Sequence, residues 1–464
     1  MTALIIHGHF YQPPRENPWT GEVDLEQGAA PFHDWNERIH AECYAPNIVN
    51  YPLISFNFGP TLLSWLESHH RDTYQQILNA DRESAAARGG HGNAIAQAYG
   101  HAILPLCNER DRLTQVVWGL ADFRYRFRRE AEALWLPETA ANDEVLALLI
   151  EQGMRYVILA PNQGKGVVDT SRPYLFRHPD GSNRSLAVFF YHGPLARAIA
   201  FERALASSRG LVEKFVGAAS GGNLVNVATD GETYGHHFKF GDLCLSHALT
   251  VEAKSAGFWI TNYAQYLDHH PPETEVEIDN GPDSEGSSWS CVHGVGRWSR
   301  DCGCHTGGEE GWNQAWRKPL REALNFLRDD AAEKFERVGS ELLRDPWAAR
   351  NEYIDVILDP EHAREAFLQR HAVRRLNASE ESRVWDLLET QRSALLMFTS
   401  CGWFFSDLAG IETIQVLRYA ARVVDLQNQL GLDPPRTEFL ALLAEAKSNH
   451  PEKGNGSDLF ATIH

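Results

Sequence analysis

Over the first 270 residues, short apolar runs of strand length alternate with longer stretches whose apolar residues recur at helical spacing. The runs are 4–9 (LIIHGH), 53–59 (LISFNFG), 93–99 (NAIAQAY), 133–138 (ALWLPE), 156–161 (YVILAP), 186–192 (LAVFFYH) and 223–232 (NLVNVATDGE). Stretches such as 60–78, 110–129 and 143–152 lie between them. This is a β/α alternation seven strands long. Polar residues are concentrated at one place in it: His7, His9, Asn57, Glu138, Asp230 and Glu232 all fall at or just past the C-terminal end of a run. In a β/α barrel that rim is where active sites are built.

Beyond residue 270 the pattern changes. Residues 271–311 are rich in Gly, Ser, Asp, Trp and Cys with little periodicity, and read as a long ordered excursion. Residues 312–464 read as an all-α domain, with amphipathic segments such as PLREALNFLRDDAAEKFERVGSELL. A 464-residue chain with 43% hydrophobic and 11% aromatic content can bury a large core and a second domain. A net charge of −19 argues against nucleic acid or an anionic membrane surface as a partner. No run reaches the roughly 18 apolar residues of a membrane span, and the expected location is cytoplasmic. Seven cysteines, an odd number, fit reduced thiols or metal ligands better than a disulfide framework. Oligomeric state is not legible.

Three motifs carry chemistry. In HGHFYQPP, strand geometry points His7 and His9 to one side, which suits two metal ligands, two sugar contacts, or an acid and its partner. In LWLPETAAN, Glu138 follows a stiffening proline and either starts a helix or stands as a lone carboxylate on the rim. In NVATDGETYGHH, Asp230 and Glu232 emerge from a Val-rich strand around Gly231, as an Asp-Gly turn or as catalytic acids. Two carboxylates on separate strands of one rim are what glycoside hydrolysis needs. A fourth stretch, Cys291-x-His293 with Cys302-x-Cys304-His305, offers either a structural zinc site or thiols buried as small hydrophobes beside Trp289 and Trp298. Trp19 and Trp403 are candidate platforms for sugar rings, whereas Trp135, inside a strand, reads as core.

HGHFYQPP, YGHAILPL (99–106), LWLPE and VATDGETYGHH, in this order and at these spacings, resemble the first four conserved regions of glycoside hydrolase family 57. FTSCGWFFSD (398–407) stands where that family has its fifth. The family acts on α-glucans and includes amylases, 4-α-glucanotransferases and branching enzymes. The resemblance implies a distorted seven-stranded β/α barrel over residues 1–270, an α-helical domain over 312–464 packing on the active-site rim, and a retaining mechanism without a catalytic cofactor. Glu138 matches the nucleophile and Asp230 the general acid/base. His7 and His9 match the first-region histidines that line the sugar site, and His101 and Glu232 join them as candidate substrate contacts. In the fifth region Gly402 replaces an Asp often found before the Trp, so Asp407 is the candidate to supply a substrate contact beside Trp403. The segment SSWSCVHGVGRWSRDCGCHTG (287–307), with Cys291, His293, Cys302 and Cys304 as candidate zinc ligands, is not part of the family pattern and marks a subgroup. Two rival readings stay open. One is a metal-dependent deacetylase or α-mannosidase-like hydrolase with His7, His9 and Asp230 on zinc. The other is a non-catalytic glucan-binding protein.

Overall fold

The structure, a computed structural model, describes residues 1–219 and 222–463. Among the described residues there are nine strands: β1 (Ala3–Phe10), β2 (Ser55–Phe58), β3 (Ala96–Gln97), β4 (Leu134–Trp135), β5 (Tyr156–Leu159), β6 (Tyr174–Arg177), β7 (Ser185–Phe190), β8 (Leu224–Asp230) and β9 (Trp259–Ile260). β1 is buried along its whole length, as a strand covered on both faces must be. It pairs in parallel with β2 and with β8. A parallel bridge from Phe56 to Ala94 leads toward β3, which pairs in parallel with β4. A bridge from Ala133 to Tyr156 joins β4 to β5, and β5 pairs with β7. Past the end of β7, the His192 N–H donates to the Asn226 carbonyl of β8 at 2.8 Å. The ring β1-β2-β3-β4-β5-β7-β8 therefore closes on itself with seven parallel strands. It is the expected distorted barrel, and β3 and β4, with two paired residues each, are where the distortion is greatest.

β6 and β9 are additions. β6 runs antiparallel to β7, and β9 pairs with the first residues of β1. Neither carries an apolar run long enough to announce a barrel strand.

The chain divides into two compact units. The first comprises Met1–Gln12, Asp24–Ala98 and Phe123–Trp289, and the second Pro13–Val23, Tyr99–Asp122 and Ser290–His464. This differs from a single cut near residue 270, for a physical reason. Asp111 and Trp118 belong to the core of the second unit: the buried Arg350 guanidinium donates to Asp111 Oδ1 at 2.8 Å, and Trp118 Nε1 donates to the Arg350 carbonyl at 3.0 Å. The 271–311 stretch is likewise shared. Its first half is held in the first unit by bridges from Ile278 to Gly164 and from Ser287 to Ala141. The second unit is mostly helical, with long helices at Arg317–Leu342, Ala378–Leu396 and Ile411–Gln429. Among the described residues no helix is long and apolar enough to cross a membrane.

Candidate active site

The register of the first strand builds the floor of the site. His9 is level with Asn57 on one side and Asp230 on the other, and His7 is level with Ser55. Level partners on parallel strands point to the same face, so these side chains meet inside the barrel. Asn57 holds them together. Its Oδ1 lies 3.1 Å from His7 Nε2, and its Nδ2 lies 3.0 Å from His9 Nδ1 and 2.7 Å from Gln97 Oε1. Asn57 Oδ1 also lies 3.3 Å from His9 Nδ1, and the Ser55 hydroxyl 3.0 Å from His7 Nδ1. Burial keeps both imidazoles neutral, lowering them to about 3.

Trp135 lies beneath this pair, its ring stacked on His7 at 4.7 Å and on His9 at 4.9 Å. Its reading as a core residue holds: it is 1% exposed. His7 is 0% exposed with both ring nitrogens engaged, so it does not reach a sugar; it holds Asn57 and through it His9. The expectation that His7 contacts substrate is corrected accordingly. His9, at 4%, is almost as deep.

Glu138 leaves the end of β4 in an unusual conformation. Its φ of 58° and the 51° of Thr139 lie in the left-handed region, which costs a non-glycine residue about 1–3 kcal/mol unless its surroundings impose it. The surroundings do so here. The Trp289 backbone N–H donates to the Glu138 carbonyl at 3.2 Å, and Trp289 Nε1 donates to Glu138 Oε2 at 2.9 Å. Gln163 Nε2 donates to the Thr139 carbonyl, and the Thr139 hydroxyl to Gln163 Oε1, both at 2.8 Å. The carboxylate is thereby aimed by backbone and side chain together.

Asp230 ends β8 on the same rim. Burial, and then the negative charge of Glu138, push its carboxyl up to about 7. The residue itself is exposed, and the direction of the rise follows from the protein around it and from the Glu138 charge. Tyr191, past the end of β7, has its phenol raised by burial and by the charge of Asp230. Tyr191 and Trp289 meet edge to face at 6.3 Å.

Glu232 is turned away from the opening. It is 5% exposed, and its Oε1 accepts from the Tyr11 N–H at 3.0 Å and the Tyr44 hydroxyl at 2.8 Å. The expectation of a substrate contact is corrected: Glu232 braces the turn that follows Asp230. Gly231 makes that turn feasible, since a Cβ there would stand 2.3 Å from the Phe10 ring. Burial and the Asp230 charge raise Glu232 to about 8. The native state thus keeps a proton that the unfolded chain releases, so stability falls as pH rises from about 4.5 to about 8. Glu232→Gln keeps the acceptor and is expected to flatten the decline of the unfolding midpoint across that window. An unchanged slope would show that the carboxyl is ionised in the fold.

Residues 6–279 match the family model described as Glycosyl hydrolase family 57. The chain belongs to glycosyl hydrolase family 57. Residues 312–463 match a second model, described as a domain of unknown function (DUF3536). No curated protein matches the chain. Among solved structures it is similar to an exo-type maltose-forming amylase from Pyrococcus sp. ST04, with a TM-score of 0.73 at 15% identity over 95% of this chain and 82% of that one. A family 57 branching enzyme from Pyrococcus horikoshii gives 0.59 at 14% identity over 100% and 94%. A 4-alpha-glucanotransferase from Thermococcus litoralis gives 0.57 at 17% identity over 92% and 60%. At these identities the likeness is one of fold.

The other family 57 candidates lie in the second unit, in surroundings of their own. His101, 1% exposed with φ 53°, bonds through Nδ1 to the Ser400 hydroxyl at 2.7 Å. Trp19 is 37% exposed, its indole N–H donating to Asp425 at 2.9 Å. Trp403 is 0% exposed, with the Arg321 guanidinium 4.2 Å above its ring and Phe398 stacked at 6.2 Å. Asp407 accepts from the Ser448 hydroxyl and from the Asn449 and Ala409 N–H groups, which closes a loop. Trp403 and Asp407 are therefore corrected from substrate contacts to structural residues. Trp403→Ala is expected to cost about 3–5 kcal/mol of unfolding free energy, the range for emptying a buried aromatic site. Unchanged denaturation with weakened glucan binding would restore the platform reading.

Gln97, Tyr191 and Trp289 were not among the sequence candidates. Strand-end position was the signal available for Gln97 and Tyr191. Trp289 was legible only as a neighbour of the cysteines.

Proposed function

We propose that this chain is a retaining enzyme of α-glucan metabolism, a hydrolase or transglycosylase acting at α-1,4 or α-1,6 linkages. The observation that carries the reading is the pairing of Glu138 and Asp230 at the ends of β4 and β8, near enough for the charge of one to raise the proton affinity of the other. Such pairs divide roles: one carboxylate stays ionised to attack, and the other keeps its proton to donate. The names of the solved relatives, a maltose-forming amylase, a 4-alpha-glucanotransferase and a branching enzyme, support the substrate class.

In this reading Glu138 attacks the anomeric carbon while Asp230 protonates the departing glycosidic oxygen. The Trp289 indole fixes one Glu138 oxygen, and the neutral His9, held by Asn57, keeps the floor uncharged beneath the developing positive ring. Asp230, now a carboxylate, takes a proton from water or an acceptor hydroxyl as that oxygen attacks the anomeric carbon, which breaks its bond to Glu138. The rival zinc reading of His7, His9 and Asp230 has less support. These three are not among the described groups whose donor atoms gather within 4.8 Å, and Asn57 and Ser55 occupy both His7 nitrogens.

The experiment is product mapping on maltooligosaccharides, amylose and glycogen, with the anomer of the first product followed by NMR. Retention on at least one α-glucan is the expected result. Inversion, or no turnover on any of them, would contradict the proposal.

A further inference from the structure

Within the second unit, the side chains of Cys291, His293, Cys302 and Cys304 converge so that four donor atoms lie within 4.8 Å of one another. Cys291 Sγ is 3.8 Å from Cys302 Sγ and 3.7 Å from Cys304 Sγ, and Cys304 Sγ is 3.5 Å from His293 Nδ1. A tetrahedral ion with metal–sulfur bonds of about 2.3 Å holds its sulfurs about 3.8 Å apart, and a sulfur and an imidazole nitrogen about 3.6 Å apart. The separations match the edges of such a tetrahedron. They are far beyond the roughly 2.05 Å of a disulfide, and the cysteines are free.

The backbone is shaped for the purpose. Gly303, at φ 78°, takes the left-handed conformation between Cys302 and Cys304, and its N–H is held by Asp301 Oδ1 at 3.2 Å. Two thiols one residue apart can then face one point.

Charge supplies an independent argument. Arg317 is 0% exposed, and its guanidinium donates to the carbonyls of Cys304 at 2.7 Å and Phe405 at 3.3 Å. It pairs with no carboxylate among the described residues. Arg297, 7% exposed, stands near it with its guanidinium over the Phe404 ring at 4.3 Å. Two cations buried close together are costly unless negative charge lies near them, and Asp301 is the carboxylate that acts on Arg317. A divalent ion on three thiolates and a neutral imidazole carries a net charge of −1, and Arg317 stands beside that site, donating to the Cys304 carbonyl.

We propose that Cys291, His293, Cys302 and Cys304 bind one zinc ion as a structural site that fixes the irregular segment 290–316. Three thiolates and an imidazole are a donor set of zinc rather than of calcium or magnesium. Four protein ligands close the tetrahedron and leave no position for an activated water, so the ion is not a catalyst. Apart from one turn at Gly296–Trp298, the segment has no regular element before the helix at Arg317–Leu342. An ion joining residues 291 and 304 supplies the cross-link that backbone pairing does not.

The test is elemental analysis of the full chain expressed in zinc-replete medium and purified without chelator, followed by cobalt replacement. The expected result is about one zinc per chain and, with cobalt, the intense visible absorption and thiolate charge-transfer bands of a tetrahedral centre. His293 is exposed, so His293→Ala should fold and yet weaken zinc binding by at least the 10–100-fold that a lost outer partner costs, on the order of magnitude. Cys302→Ser should do the same and lower the thermal midpoint. His70→Ala serves as control: Glu37, His40 and His70 also gather, but His70 Nε2 is on Glu37 and His40 Nε2 on Thr73, each at 2.9 Å. Metal-free protein whose three thiols react freely in the native state would overturn the proposal. So would a full equivalent of zinc retained in both His293→Ala and Cys302→Ser, or zinc lost in His70→Ala alone.

Discussion

Glu138→Gln is expected to lower kcat on α-glucans by on the order of 10^4-fold or more, the scale on which losing one member of a catalytic unit reads. Folding and oligosaccharide binding should survive. Gln is nearly isosteric, its amide oxygen can still accept from Trp289 Nε1, and the left-handed backbone at φ 58° is imposed by contacts that the substitution leaves alone. What is lost is the electron pair that forms the glycosyl ester. The substitution also removes the negative charge that helps raise Asp230, so the Asp230 carboxyl should titrate lower in the variant than in the wild type. Initial rates with binding calorimetry measure the first effect, and NMR titration of Asp230 the second. Full activity in Glu138→Gln would contradict the role.

Asp230→Asn is expected to lower kcat on natural glucans by about 10^2 to 10^4-fold, the usual worth of a positioned acid. The deficit should shrink on substrates whose leaving group needs no proton. The pH profile separates this from a structural effect. An acid must hold its proton to act, and Asp230 is raised to about 7, so the wild-type rate of the first step should fall as pH climbs through that region. The variant has no proton to lose there and should lack that limb. A limb that persists in Asp230→Asn would assign the titration to another group, with Glu232, at about 8, the neighbour to examine.

Much of the barrel was legible because a strand buried on both faces must be apolar nearly throughout, and LIIHGH or LAVFFYH has few other places to go. β3 and β4 were legible for another reason: their flanking runs are apolar although only two residues of each are paired. β6 was not legible, because its residues alternate in burial as an edge strand does and resemble a loop. The two carboxylates stood out as lone charges at strand ends. Their supports did not. Gln97 and Tyr191 matter through what they touch, and contact across the barrel has no signature in local spacing. Trp289 lies 151 positions from Glu138 in the chain, and nothing about its neighbours predicts that its indole meets that carboxylate.

The errors have a common cause. An aromatic or histidine beside a motif announces chemistry without announcing exposure. His7 follows an apolar run and lies in the same strand as His9, yet Ser55 and Asn57 close it off completely. Trp403 sits between small and aromatic residues at helical spacing, a pattern shared by a sugar platform and a packed core. The guanidinium over its ring decides for the core. Compactness divides the chain differently from its sequence pattern: 99–122 is close in sequence to barrel strands, but the Arg350 and Asp111 pair ties it to the helices.

The most direct test of the catalytic assignment is to trap the intermediate. The wild-type chain is incubated with a 5-fluoro-α-glucosyl fluoride, which slows turnover of the glycosyl-enzyme, then digested with protease, and the labelled peptide is sequenced by mass spectrometry. A single ester-linked sugar on Glu138, absent in Glu138→Gln, is the predicted result. A label on another carboxylate, or inverted product released with no covalent species, would contradict the account.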